Sequence, residues 1–163
     1  MRHIISLLME NEAGALSRVS GLFSARGYNI ESLSVAPTED LSLSRMTIVT
    51  SGSDEVIEQI IKQLNKLIDV VKVLDLHDGD HIERELVLVK VKANKQYRDE
   101  VQQLSNSYGG RIIDSSENIL TIEFTGTSTE LDNYLKSLNS AFVVEIVRTG
   151  ASGIGRGDRI LKI

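Results

Sequence analysis

Asn11-Glu12-Ala13-Gly14-Ala15-Leu16-Ser17-Arg18-Val19, followed by Gly27-Tyr28-Asn29-Ile30, is the stretch around which the chain is organised. An apolar run from His3 to Met9 leads into it and reads as a strand. After a short polar segment with one glycine, Leu16, Val19, Leu22 and Phe23 recur at helical spacing, so a helix begins near Ala13 to Ala15. Gly27 stands where a left-handed C-terminal residue is expected, and Asn29 opens the next strand. A strand–loop–helix junction of this kind aims unpaired N–H groups at the space in front of it. A small anion such as an amino-acid carboxylate fits there, helped by the helix dipole. Gly14 lets a ligand approach the backbone, and the amides of Asn11 and Asn29 can donate and accept hydrogen bonds. The loop offers no nucleophile, base or metal-ligand set, and is built to bind rather than react. The plainer reading, a capped turn, is the commoner use of such residues.

The chain has 163 residues, room for one medium domain or two small ones, with a net charge of −5 concentrated in the first half. The charge and the scarcity of aromatic residues argue against a nucleic-acid face. Cysteine is absent, which removes disulfides and thiolate metal sites. No apolar run is long enough to span a bilayer and the N-terminus lacks a signal-peptide pattern, so a cytoplasmic location is expected.

Beyond Asn29, serines alternate with Leu33 and Val35 in a half-buried strand stopped by Pro37. A second alternating strand runs from Ser44 to Ser51. Ser53 or Asp54 caps a helix carrying Val56, Ile57, Ile60, Ile61 and Leu64, and Val70 to Leu76 is a short strand. Residues 78–84 read as a linker, and the order then repeats. Glu85 to Lys92 is a strand, Gln96 to Tyr108 a helix, and Arg111 to Ser115 and Ile119 to Thr125 are strands. A capped helix ends at Leu138, and Phe142 to Arg148 is the last strand. The expected fold is therefore α+β: two tandem ferredoxin-like βαββαβ domains, residues 1–77 and 85–163, the second ending in a glycine-rich tail. Apolar surface on the first sheet exceeds what one face needs, which points to a homodimer. The tail's Gly153-Ile154-Gly155-Arg156-Gly157 lacks the helix and Lys-Ser/Thr pair of a phosphate loop and reads as a flexible or partner-docking segment. His77 and His81 fall in the presumed linker with no helical pattern to align them, so no metal site is assigned, and no catalytic residue is either.

These same residues resemble a known family. The block Asn11 to Val19, then Leu22 to Leu33, Val35-Ala36-Pro37-Thr38, Ser44 to Ile48, Glu83-Arg84-Glu85-Leu86 and Ile112-Ile113-Asp114, looks like the small regulatory subunit of acetohydroxyacid (acetolactate) synthase, whose first domain is an ACT domain. The resemblance covers nearly the whole chain, with Lys95 to Asn118 its weakest part. It implies a non-enzymatic regulator of branched-chain amino acid biosynthesis. Such a chain would activate a large catalytic subunit and confer feedback inhibition by valine or a related amino acid. It would hold no cofactor of its own, the thiamine diphosphate, magnesium and FAD belonging to the large subunit. The implied effector site lies between two ACT domains: Asn11, Glu12, Ala13, Gly14 and Ala15 of one chain for the carboxylate, Asn29 and Ile30 of the other for the ammonium group and side chain. The alternative is a free-standing tandem ACT-type sensor without a catalytic partner.

Overall fold

The computed structural model describes residues 1–140 and 142–163. The chain divides into two compact units, Met1–Ile82 with Ala151–Ile163, and Glu83–Gly150. Each carries the expected βαββαβ order.

In the first unit, strands β1 (Arg2–Glu10), β2 (Ser32–Pro37), β3 (Leu43–Ser51) and β4 (Val70–Asp75) form an antiparallel sheet of order β2-β3-β1-β4. Helices α1 (Ala15–Ala25) and α2 (Asp54–Leu64) lie on one face. The stripe of α1 is Ala15, Val19, Leu22 and Phe23, and that of α2 is Ile57, Ile60 and Leu64. They bury Ile5, Leu7 and Met9 of β1 with Met46 and Ile48 of β3. Gly27 does take a positive φ, of 67°, behind α1.

Alternate residues of β1 point the other way, and they too are buried: Ile4, Ser6 and Leu8. The cover comes from the chain's end. Ala151 packs with Ile4, Val49 and Leu76. The Gly153 N–H donates to Thr47 Oγ1 at 3.3 Å, and the Arg159 guanidinium donates to the Asp75 and Leu76 carbonyls. Leu161 is buried. The tail is thus not the flexible segment that its glycines suggested, nor part of the second half. Glycine is needed because the backbone lies almost on the sheet: a Cβ on Gly153 would stand 2.5 Å from Leu76 Cδ1. The linker expectation also changes. A single 3₁₀ turn over Leu76–Asp78 follows β4, and β5 (His81–Lys92) begins inside 78–84. The tail's strand β9 (Ser152–Gly155) pairs with β5, whose first residues belong to this unit.

The second unit orders its sheet β6-β7-β5-β8, from β6 (Arg111–Ser115), β7 (Ile119–Gly126), β5 and β8 (Val143–Arg148). Helices α3 (Lys95–Ser107) and α4 (Ser128–Ser137) cover Val87, Val89, Val91, Leu120 and Ile122. Asn94 caps α3, and Thr127 with Glu130 forms a capping box on α4. The Tyr134 hydroxyl meets Ser105 Oγ at 3.0 Å inside the core.

Two glycines test this packing in opposite directions. Gly153→Ala forces the tail off Leu76 and is expected to cost about 1–3 kcal/mol. Gly21→Ala, on the open side of α1 with no neighbour to meet, is expected to gain roughly 0.5–1 kcal/mol. Urea unfolding midpoints of the two variants check both signs.

Candidate effector site

Strand β1 ends at Glu10, and the loop behind it is tied down at once. The Asn11 N–H donates to the Ser42 carbonyl at 2.7 Å, and its side-chain Nδ2 donates to the Leu41 carbonyl at 3.0 Å. One of the two Asn11 side-chain N–H donors is thus committed to the β2–β3 turn, which leaves the other and the Oδ1 acceptor for a ligand. The Ala15 N–H donates to the Glu12 carbonyl at 3.2 Å, closing a turn. Gly14 then caps α1 with φ 87°, a conformation that costs other residues strain. The Arg18 N–H donates to the Gly14 carbonyl at 3.0 Å, so the N–H groups of Leu16 and Ser17 precede the first helical bond and remain open. The loop and the start of α1, as far as Leu16, border a cleft of about 220 Å³. Asn11 and Glu12 supply its polar edge; Met9, Leu16, Val35 and Pro37 supply apolar walls. A small aliphatic group bearing a carboxylate suits such a surface. Ala15 also borders the cleft, whereas Ala13 and Gly14 are exposed and stand outside it.

Asn29 and Ile30 lie elsewhere in the same chain. The Asn29 carbonyl accepts from Thr50 Oγ1 at 2.6 Å, and the Glu31 N–H donates to the Val49 carbonyl. Both anchors are at one end of β3, whereas Glu10 pairs with Leu43 at the other. At a strand rise of about 3.3 Å per residue, the two clusters stand roughly 20 Å apart. One chain therefore does not bring Asn29 and Ile30 to the loop. Among the described residues the Asn29 side-chain amide makes no hydrogen bond, and it is exposed.

Sequence reasoning missed the support under this loop. Arg18 forks onto Asp69, with Nε donating to Oδ2 and Nη2 to Oδ1 at 2.9 Å. Asp69 is buried, and its carbonyl accepts from the Glu10 N–H at 2.8 Å. Hydrogen bonds from Arg18 hold the Asp69 carboxyl below the usual carboxylate range. The remaining nitrogen, Nη1, is 3.1 Å from where a Gly14 Cβ would stand. The histidines are placed differently from expectation as well. His77 packs on His3 with ring centroids 4.5 Å apart, and His3 Nδ1 lies 3.0 Å from the buried Asp75 carboxylate. His81 Nδ1 meets the Gly79 carbonyl of its own loop at 3.2 Å.

Gly14→Ala is expected to cost about 1–2 kcal/mol and Gly14→Asn less, because asparagine tolerates the left-handed region. Arg18→Met should lower the urea midpoint at neutral pH. The Asp69 carboxyl is depressed in the folded state, so the contribution of Arg18 is complete above the unfolded value, about 3.9, and fades as pH falls through the folded one. The gap between wild type and Arg18→Met should therefore shrink on acidification below about pH 4, as urea titrations across that range would read.

Residues 5–72 match the family described as the AHAS small subunit-like ACT domain, and residues 84–157 match the family described as the small subunit of acetolactate synthase. The chain is 53% identical over 163 residues to the acetolactate synthase isozyme 3 small subunit of Escherichia coli strain K12, covering 99% of this chain and 100% of that one. It is 47% identical to a probable acetolactate synthase small subunit of Methanothermobacter thermautotrophicus, covering 98% and 95%. The crystal structure of the Thermotoga maritima acetolactate synthase small subunit superposes with a TM-score of 0.89 at 37% identity, covering 97% of this chain and 99% of that one. With both halves matched in order and relatives aligned end to end, the chain belongs to the acetolactate synthase small-subunit family, with an ACT domain as its first half.

Proposed function

We propose that this chain is the regulatory subunit of an acetolactate synthase. It catalyses nothing itself. It docks on a large catalytic subunit, raises that subunit's activity and makes it sensitive to feedback inhibition by a branched-chain amino acid, valine foremost. Thiamine diphosphate, magnesium and FAD then reside on the large subunit. The first domain is the effector-binding and dimerising half. Family membership supports the partnership, since the relatives are named as small subunits.

The observation that carries the site is the position of its two halves at opposite ends of an edge strand. β2 borders the sheet with one side unpaired. Its first residue, Ser32, pairs with Val49 and its last, Pro37, with Ser44. If β2 pairs antiparallel with β2 of a second copy, the Ser32 end of each meets the Pro37 end of the other. Asn29 and Ile30 then arrive beside the partner copy's cleft at Asn11, Glu12 and Ala15. The open N–H groups of Leu16 and Ser17 receive the carboxylate, and Asn11 Oδ1 and Asn29 meet the ammonium group. The walls of Leu16, Val35 and Ile30 receive the aliphatic side chain. Ala13 and Gly14 shape the loop.

Asn29→Ala should weaken valine inhibition of the reconstituted holoenzyme by about 1–3 kcal/mol, roughly 5- to 150-fold. A mixed dimer is more decisive. Gly14→Asp spoils the loop half and Asn29→Ala the other half, so each homodimer loses both sites. A dimer with one chain of each has one site broken twice and one intact. Regained valine inhibition in the mixed species supports a site shared across chains; inhibition no better than in either homodimer refutes it.

A further inference from the structure

Arg45 sits in β3 on the tail side of the first sheet, half-buried. Its Nε donates to Ser6 Oγ at 3.0 Å and its Nη2 to the Gly153 carbonyl at 3.2 Å. Neither partner carries a charge. A guanidinium has five N–H donors, so three stay uncommitted. Arg18 and Arg148 by contrast hold counter-charges, Asp69 for the one and Glu85 with Asp132 for the other, whereas Arg98 and Arg159, partly buried like Arg45, donate to carbonyl and hydroxyl oxygens. Among the described residues Arg45 forms no ion pair. Burial lowers its proton affinity, as it must for a cation withdrawn from water without an anion.

Arg45 borders two clefts. One, of about 310 Å³, presents the hydroxyls of Ser34, Thr47 and Ser152. The other, of about 410 Å³, is walled by Leu8, Leu43, Ile154 and Leu161. Ile154 is 53% exposed on this wall. No aromatic side chain lines either cleft. Glu39 and Asp40 on the rim outweigh Lys162, and Asp40 is already engaged by the Ser42 N–H and hydroxyl. Counting Arg45, the two side-chain carboxylates and two cations lining the larger cleft balance, which offers no field for a polyanion.

We propose that the tail side of the first unit binds a small aliphatic monocarboxylate, with its carboxylate on the Arg45 guanidinium and its hydrocarbon body between Leu8, Leu43, Ile154 and Leu161. This site is distinct from the cleft at Asn11 and lies on the opposite face of the sheet from the helices. The tail completes it, since Ser152, Gly153, Ile154 and Leu161 all belong to that segment.

The test uses the full chain labelled with ¹⁵N and three probes: 4-methylpentanoate, its uncharged twin 4-methylpentanamide, and sulfate. The acid should produce saturable shifts at the amides of Arg45, Gly153, Ile154 and Leu161. The amide of the same shape should bind at least about tenfold more weakly, and sulfate should move none of them. Ile154→Asp places a negative charge on the exposed wall of the cleft that Arg45 also borders, and should abolish the acid's shifts while the Gly153 amide keeps its position. Equal binding of acid and amide overturns recognition by Arg45. Absence of saturable shifts at millimolar acid, or unchanged binding by Ile154→Asp, overturns the site. L-valine in the same sample reports separately at Asn11, Gly14 and Asn29, so failure of either binding event is read without the other.

Discussion

Strand β1 has no face left for water. Seven of its nine residues, His3 to Met9, are buried, and side chains on a strand alternate between faces. The first unit therefore has to be three layers thick at its centre. Two helices supply one layer through Val19, Phe23, Ile57 and Ile60. The chain's end supplies the other, through Ala151, Gly153 and Leu161. A continuous apolar strand is unusual in an antiparallel sheet, where one face is commonly wet. Here it is the direct consequence of a tail that returns to its first strand.

The same strand fixes the candidate site. β1 stops at Glu10 because the chain must turn there to start α1, and the Arg18–Asp69 fork locks the turn from below. Asn11 locks it from the side by bonding the β2–β3 turn. What remains open is what a helix start cannot close by itself: the first N–H groups and the cleft before them. The rigidity is local and the openness is local, which is the usual arrangement for a ligand loop on a stable scaffold.

Periodicity made most of the fold legible. The helical recurrence from Leu16 to Phe23, the alternation of Leu33 and Val35 with serines, and the repeated order after residue 85 all survive in the structure. Three features were not legible, each for a physical reason. The tail reads as flexible because glycine serves both disorder and close backbone approach, and only the neighbour at Gly153, Leu76, tells which. Arg18 and Asp69 are 51 residues apart, beyond any local pattern. Arg45 alternates with Met46 like any half-exposed strand residue, although its side of the sheet is covered. For the candidate site, the loop at Asn11 to Ala15 followed from the residues. Its pairing with Asn29 and Ile30 came from family resemblance, because those residues sit at the far end of β3 in the same chain.

The turn from Thr38 to Ser42 joins the two faces of the first unit. Its Leu41 and Ser42 carbonyls accept from Asn11 on the side of the candidate cleft. Its Thr38, Glu39 and Asp40 border the clefts around Arg45 on the tail side. It is braced internally, with the Thr38 N–H donating to Leu43, the Leu43 N–H to Asp40, and Ser42 to the Asp40 carboxylate. These bonds tie the turn together as one unit. Were both proposed ligands to favour different positions of the turn, they would be coupled equally in both directions. The route between the two clefts would then be this five-residue turn, without a long path of contacts through the core.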